Sequence, residues 1–173
     1  MISAFDVKYF EDGSAVVAAV VFEKFNDAAP ISTYRKNIDR VNEYVPGSFY
    51  RRELPCILSL LADIRETIDT IIIDGYVYLG NRPGLGAYLK AETGEAFTII
   101  GVAKSCFKGS AAAKVYRGRS RNPLYISASG MDQAKAADLV ARMHGKYRIP
   151  TLLKEVDQLT KRQHVPAGRS SDY

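Results

Sequence analysis

The stretch TIIIDGYVYLGNRP, Thr70–Pro83, decides how the chain is read. Three consecutive isoleucines mark a strand buried on both faces, the pattern of a central parallel strand. The run then delivers a carboxylate, Asp74, followed at once by Gly75. An acid ending a core strand must stay hydrated, paired or bound to a cation, because an unpaired buried charge is costly.

Working outward, the N-terminal side reads as an antiparallel meander. Ile2 to Phe10 alternates loosely and ends at EDGS, Glu11–Ser14, where Asp-Gly between apolar runs signals a hairpin. Ala15 to Phe25 is a valine-rich second strand, and Ile31 to Asn37 a third. EYVPGSFYRRELP, Glu43–Pro55, is turn-rich and aromatic, and Pro55 suits the first turn of a helix. Ile57, Leu58, Leu60, Leu61 and Ile64 follow at helical spacing. Beyond the TIII strand, a helix starts within Pro83–Ala91, and Phe97–Lys104 is another buried strand. Leu124–Ala128 is a short strand. A helix capped by Asp132 carries Ala136, Leu139, Val140 and Met143 on one face, and a last helix runs from about Thr151 to Gln163. Strands separated by helical patterns imply parallel neighbours, so the fold class is α/β: a mixed sheet with helices on its faces. The chain reads as one domain over 1–163, and 164–173 as a flexible tail.

Composition bounds the rest. The 173 residues are 47% hydrophobic and 25% charged, as in a soluble globular protein, with a net charge of +5 that leans towards a polyanionic partner. No apolar run reaches the length that spans a bilayer. MISAFDVKYF begins in strand-like sequence without an export signal, and the two cysteines, Cys56 and Cys106, form no CxxC pair. These features predict buried thiols and a cytoplasmic protein.

The acids carry the chemistry. Asp6 lies on the first strand and Asp74 at the end of the TIII strand; on adjacent central strands two carboxylates would face each other at short range. Like charges so placed repel, and a divalent cation with its preference for oxygen relieves that cost. Glu53, just before Pro55, and Asp157, on the last helix, are further candidates. The alternative for each acid is an ordinary solvent-facing residue at an element end. KVYRGRSR, Lys114–Arg121, packs four cations around a tyrosine and reads as a solvated loop or a phosphate-contacting one. GLG within RPGLGAYL matches no nucleotide-binding fingerprint, and His144 and His164 have no metal-ligand partner at helical spacing, so both read as surface residues.

In order along the chain, DVKY (Asp6–Tyr9), YVPGSFYRRELP (Tyr44–Pro55), IIIDG (Ile71–Gly75), IGVAKS (Ile100–Ser105) and PLYISASG…YRIPTLLKEVD (Pro123–Asp157) resemble the motifs of endonuclease V, the deoxyinosine-directed repair nuclease with a ribonuclease H-like fold. The resemblance implies that Asp6, Glu53 and Asp74 hold Mg²⁺ or Mn²⁺, that Lys104 contacts the phosphate near the cut, and that Asp157 stands near the metals. It places Tyr44, Val45 and Pro46 in a wedge that props open the strands around a damaged base. Tyr9, Gly47, Arg52, Gly75 and Tyr76 join the substrate-binding set. The implied activity is metal-dependent nicking of nucleic acid, DNA containing deaminated bases; no membrane role is expected, and a monomer is the expectation for an oligomeric state that the sequence leaves open. Other readings are a nucleic-acid-binding protein that retains the fold but cuts poorly, or a nuclease for branched or single-stranded DNA.

The chain departs from the family pattern after Asp74. Where the family continues D-G-x-G and then places a histidine, this chain has Tyr76, Val77 and Tyr78, with Gly80 or Asn81 at the histidine position. Two residues apart on an extended segment, Tyr76 and Tyr78 are predicted to share a side, facing either a base pocket or the core. Slower cutting with looser base preference is the expectation.

Overall fold

The hairpin at Asp12–Gly13 sets the register of everything that follows. Gly13 takes a φ of 82°, and Phe10 N–H donates to the Ser14 carbonyl at 3.0 Å. β1 (Ile2–Tyr9) therefore pairs antiparallel with β2 (Ala15–Phe22) along its whole length, Ile2 opposite Phe22 and Tyr9 opposite Ala15. β3 (Ser32–Ile38) completes the meander on the far side of β2. The computed structural model describes residues 1–42 and 49–162. The wedge positions Tyr44, Val45 and Pro46, the substrate-binding candidate Gly47, and the tail 164–173 lie outside the described residues.

Helix α1 (Tyr50–Leu61) starts five residues before Pro55, not at it. A proline inside a helix removes one backbone N–H and orphans the carbonyl four residues back, here that of Arg51. The Asn42 side-chain amide fills the gap, donating to the Arg51 carbonyl at 3.0 Å. This longer helix brings Glu53 inside the first turns. β4 (Thr70–Asp74) follows and pairs parallel with β1. β5 (Tyr78–Leu79) and β6 (Arg82–Pro83) form a small separate hairpin that the sequence pattern did not announce.

After α2 (Leu85–Glu92), β7 (Thr98–Ala103) pairs parallel with β4. β8 (Ala113–Val115) and β9 (Leu124–Ser129) close the far edge, and both β7–β9 and β8–β9 are antiparallel. The expectation of parallel neighbours throughout fails there because no helix crosses between β7 and β9. The seven-stranded order is β3-β2-β1-β4-β7-β9-β8. α3 (Gln133–Ala141) is capped as expected, Asp132 accepting from the Lys135 N–H at 2.9 Å, and α4 (Thr151–Lys161) ends the described chain.

Side chains alternate across the sheet. Ala4, Ala18, Ile72 and Ile100 pack towards α3 and α4, while Phe5, Val17, Ile71, Ile73 and Ile99 pack towards α1 and α2. β4 is thus buried on both faces, as its isoleucine run requires. Of the cysteines, Cys56 is buried, but Cys106 is exposed in the loop after β7, where the chain leaves the sheet.

Candidate active site

Register places the two strand acids together. Phe5 and Ile73 are the last matched pair of the parallel β1–β4 ladder, and Asp6 and Asp74 are the next residue on each strand. Both lie at the carboxyl ends of their strands, where open α/β sheets bind ligands. Alternation puts them on the α4 side with Ala4 and Ile72. Thr160 on α4 donates to Asp6 Oδ2 at 2.9 Å. Lys104, just beyond β7, approaches Asp74 Oδ2 to 2.5 Å. Asp6, Asp74, Lys104 and Asp157 share a cleft of about 30 Å³, room for a water-sized group.

Glu53 comes from the other side. Leu54, Ile57 and Leu60 seat α1 against the opposite sheet face, and Glu53 is carried down to the strand ends with only 5% exposure. Among the described residues its buried Oε2 has no hydrogen-bond partner. Burial, with the charges of Asp74 and Asp6, pushes the Glu53 carboxyl up to about 8. Asp6 is raised too, by burial first; the Thr160 bond opposes this, and Asp74 and Asp157 reinforce it. For Lys104, burial acts downward but the bond to Asp74 outweighs it, so the ammonium is held above its usual value. The site is therefore a cluster of repelling acids in which Lys104 is the near counter-charge of Asp74. Among the described residues, no group of three or more histidine, cysteine, aspartate or glutamate side chains is so placed that it could hold a metal ion.

The remaining candidates divide. Tyr9 sits beneath Arg52, whose guanidinium stands 4.0 Å from the ring centre. The Tyr9 hydroxyl and Arg52 Nε are both buried without partners. Asp157 is bound by Lys161 on its own helix at 2.6 Å and faces the cleft beside Lys104. His144 is exposed and bonds Thr151 Oγ1 at 2.9 Å, as a surface residue does.

Tyr76 and Tyr78 do not share a side. Tyr76 is 9% exposed and Tyr78 47%. The chain turns at Gly75, at a φ of 134°, and bends again at Val77, between the two tyrosines, so strand alternation does not hold across them. The chain then folds across β7: a Cβ on Gly101 would lie 2.6 Å from the Gly75 carbonyl oxygen and 2.9 Å from Val77 N. The glycine of IGVAK is therefore the floor on which the segment after Asp74 rests. Tyr76 then turns its hydroxyl to the Ser105 carbonyl at 2.7 Å, and Phe107 N–H donates back to it at 3.0 Å. With Phe49, Tyr50, Tyr88 and Phe107, Tyr76 lines a cavity of about 550 Å³ that opens onto Glu53 and Asp74. Tyr50 and Tyr88 stack within it at 3.7 Å. The sequence reading missed Phe107, Tyr88 and Thr160. Only the i+3 spacing of Asp157 and Thr160 on one helix hinted at the last.

An antiparallel meander feeding parallel strands, with acids gathered at their carboxyl ends, is a ribonuclease H-like architecture. The family model described as Endonuclease V matches residues 1–120. The chain is 30% identical to the Endonuclease V of Xanthomonas axonopodis pv. citri, across 98% of this chain and 81% of that protein. It is similar in fold to the Endonuclease V of Bacillus subtilis, with a TM-score of 0.77 at 20% identity over 92% of this chain and 78% of that one. It is likewise similar to that of Ciona intestinalis, solved in complex with a 24mer DNA containing an inosine followed by a ribo-adenosine. There the TM-score is 0.76 at 17% identity, over 93% of this chain and 84% of that one. The chain belongs to the Endonuclease V family and is an endonuclease. Among the described residues, no helix is long and apolar enough to cross a membrane.

Proposed function

We propose that the chain is a metal-dependent endonuclease that nicks DNA near deaminated bases such as inosine, opening such sites to repair. The observation that carries this reading is the side-by-side placement of Asp6 and Asp74 at the ends of parallel strands, with buried Glu53 brought in from the opposite face.

The residues suit a divalent cation, Mg²⁺ or Mn²⁺. All the donors are hard oxygens. Glu53 Oε2 is buried and unpartnered among the described residues, and burial first, then mutual repulsion, raises Glu53 and Asp6, a cost that a bound dication would relieve. Asp6, Glu53 and Asp74 would hold it. A cation there supplies Lewis acidity to the phosphodiester and lowers the pKa of an attacking water.

The chain's own groups do the rest. Lys104 Nζ, beside Asp74, neutralises charge that develops on the phosphate. Thr160 fixes the orientation of Asp6 from α4. Tyr76 and Phe107, ring centres 6.3 Å apart, wall the aromatic cavity, which is large enough to accept a base turned out of the stack and to exclude water around it.

The test is nicking of end-labelled inosine-containing, mismatched and undamaged duplexes with Mg²⁺, Mn²⁺ or EDTA. Divalent-dependent nicking confined to the inosine duplex supports the reading. Cleavage set by strand structure and indifferent to inosine refutes the substrate assignment. Retention of the duplex with no product under any metal refutes the activity.

A further inference from the structure

A second groove, of about 620 Å³, lies on the α4 side of the acids. It shares Lys104 and Asp157 with the cleft over the acids, and that cleft shares Asp74 with the aromatic cavity on the α1 side. The three hollows run in series across the strand ends: aromatic cavity, acids, groove.

The groove is basic. Lys104, Arg119, Arg148, Lys154 and Lys161 line it against a single carboxylate, Asp157. Lys161 is engaged by Asp157 and Lys104 by Asp74. Arg119, Arg148 and Lys154 make no salt bridge among the described residues. A cleft lined by uncompensated charge of one sign concentrates the opposite ion.

Its wall is built, not incidental. Arg117, from the basic KVYRGRSR segment, is 6% exposed and turned into the protein. Its guanidinium donates instead to the carbonyls of Ala141, Met143, Gly145, Tyr147 and Arg148, binding the whole α3–α4 loop from beneath. Next to it, Gly118 has a φ of 60°, and a Cβ there would lie 2.4 Å from the Lys146 carbonyl oxygen. Only glycine lets the two loops meet so closely. Arg148 in turn donates to the carbonyls of Lys104 and Pro123, fixing the loop to the strand end that carries Lys104. The loop so held presents Tyr147, 63% exposed, with the ammonium groups of Lys146 and Lys154 at 5.4 and 5.9 Å from its ring centre. An exposed ring flanked by cations is what a single nucleic-acid strand uses, base on the ring and phosphates on the cations.

We propose that this groove is a strand-binding subsite. It takes the sugar–phosphate backbone of the nucleic-acid strand on the side of the acids opposite the aromatic cavity, with Arg119 and Lys154 on phosphates and Tyr147 under a base. The proposal rests on the reading of the acids as the cutting centre. It divides the KVYRGRSR segment by role: Arg117 positions the loop, and Arg119 meets the strand.

The test is the salt dependence of binding by the full chain to a fluorescein-labelled single strand carrying one deoxyinosine, in EDTA, between about 50 and 200 mM salt. Arg119→Ala and Lys154→Ala should each reduce the slope of log affinity against log salt by about 0.7, the loss of one phosphate contact on a single strand. Lys154→Arg should restore it. Tyr147→Ala should weaken binding at every salt concentration with the slope unchanged. These effects should vanish for strands truncated on one side of the inosine and persist for strands truncated on the other. Unchanged slopes, effects that survive both truncations, or a wild type that binds no strand would each overturn the groove assignment. Nicking of the same strands in Mg²⁺ separates the two readings: a wild type that keeps the slope but never cuts removes the cutting centre and leaves the groove.

Discussion

Lys104 Nζ lies 2.5 Å from Asp74 Oδ2, across the ends of the adjacent parallel strands β4 and β7. The ammonium occupies the position where positive charge is most needed, beside Asp74 and within reach of the fields of Asp6 and Asp157. In the metal-free protein it compensates the acids. Lys104→Met should therefore lower the stability of the EDTA-treated protein by about 1 kcal/mol, a modest figure because both partners are partly exposed. Added Mg²⁺ should recover that loss. Urea denaturation with and without Mg²⁺ checks both halves.

Glu53 makes metal-free stability fall as pH rises. Its folded carboxyl is raised to about 8 from an ordinary 4.5, so between those values the folded state holds a proton that the unfolded state has lost. The stability this proton contributes is full below about pH 4.5 and is lost as pH climbs through about 8. Denaturation midpoints of the EDTA-treated protein from pH 5 to 9 should show that decline, and Glu53→Gln should flatten it. A decline that Glu53→Gln leaves intact would place its origin elsewhere.

Asp74→Asn keeps shape and removes charge. Nicking should drop by about a hundredfold or more, the upper end of what metal-site substitutions cost. The fold should survive, since the change also removes repulsion with Glu53 and Asp6. A single-turnover rate and a melting curve on the same preparation separate loss of chemistry from loss of structure.

Gly101→Ala tests the path of the chain after Asp74. The added methyl meets the Gly75 carbonyl oxygen at 2.6 Å and Ser127 Oγ at 2.7 Å, and neither lies at the end of a long flexible side chain. A destabilisation of about 1–3 kcal/mol is expected, as for overpacking in a core. Full stability and activity in this variant would mean that the segment over β7 is free to move.

What the sequence made legible was local. The isoleucine run gives β4, Asp12–Gly13 gives the first hairpin, and Asp132 caps α3, because each depends on near neighbours. The strand acids were legible for the same reason, since period and register place Asp6 beside Asp74 once β1 and β4 are parallel neighbours. What escaped depended on partners distant in sequence. Pro55 sits inside α1 because Asn42 fills its missing bond. Tyr76 and Tyr78 part because Gly101 admits a bend after Gly75. Arg117 is buried because five carbonyls, one at the end of α3 and four in the loop after it, surround it. No periodicity carries such information.

The central claim is that Asp6, Glu53 and Asp74 together hold a divalent cation. Calorimetric titration of Mn²⁺ into the EDTA-stripped wild type and into Asp6→Asn, Glu53→Gln and Asp74→Asn tests it directly. Saturable binding by the wild type and affinity at least about tenfold weaker in each variant are expected. Undiminished binding in all three variants, or none in the wild type, would contradict it.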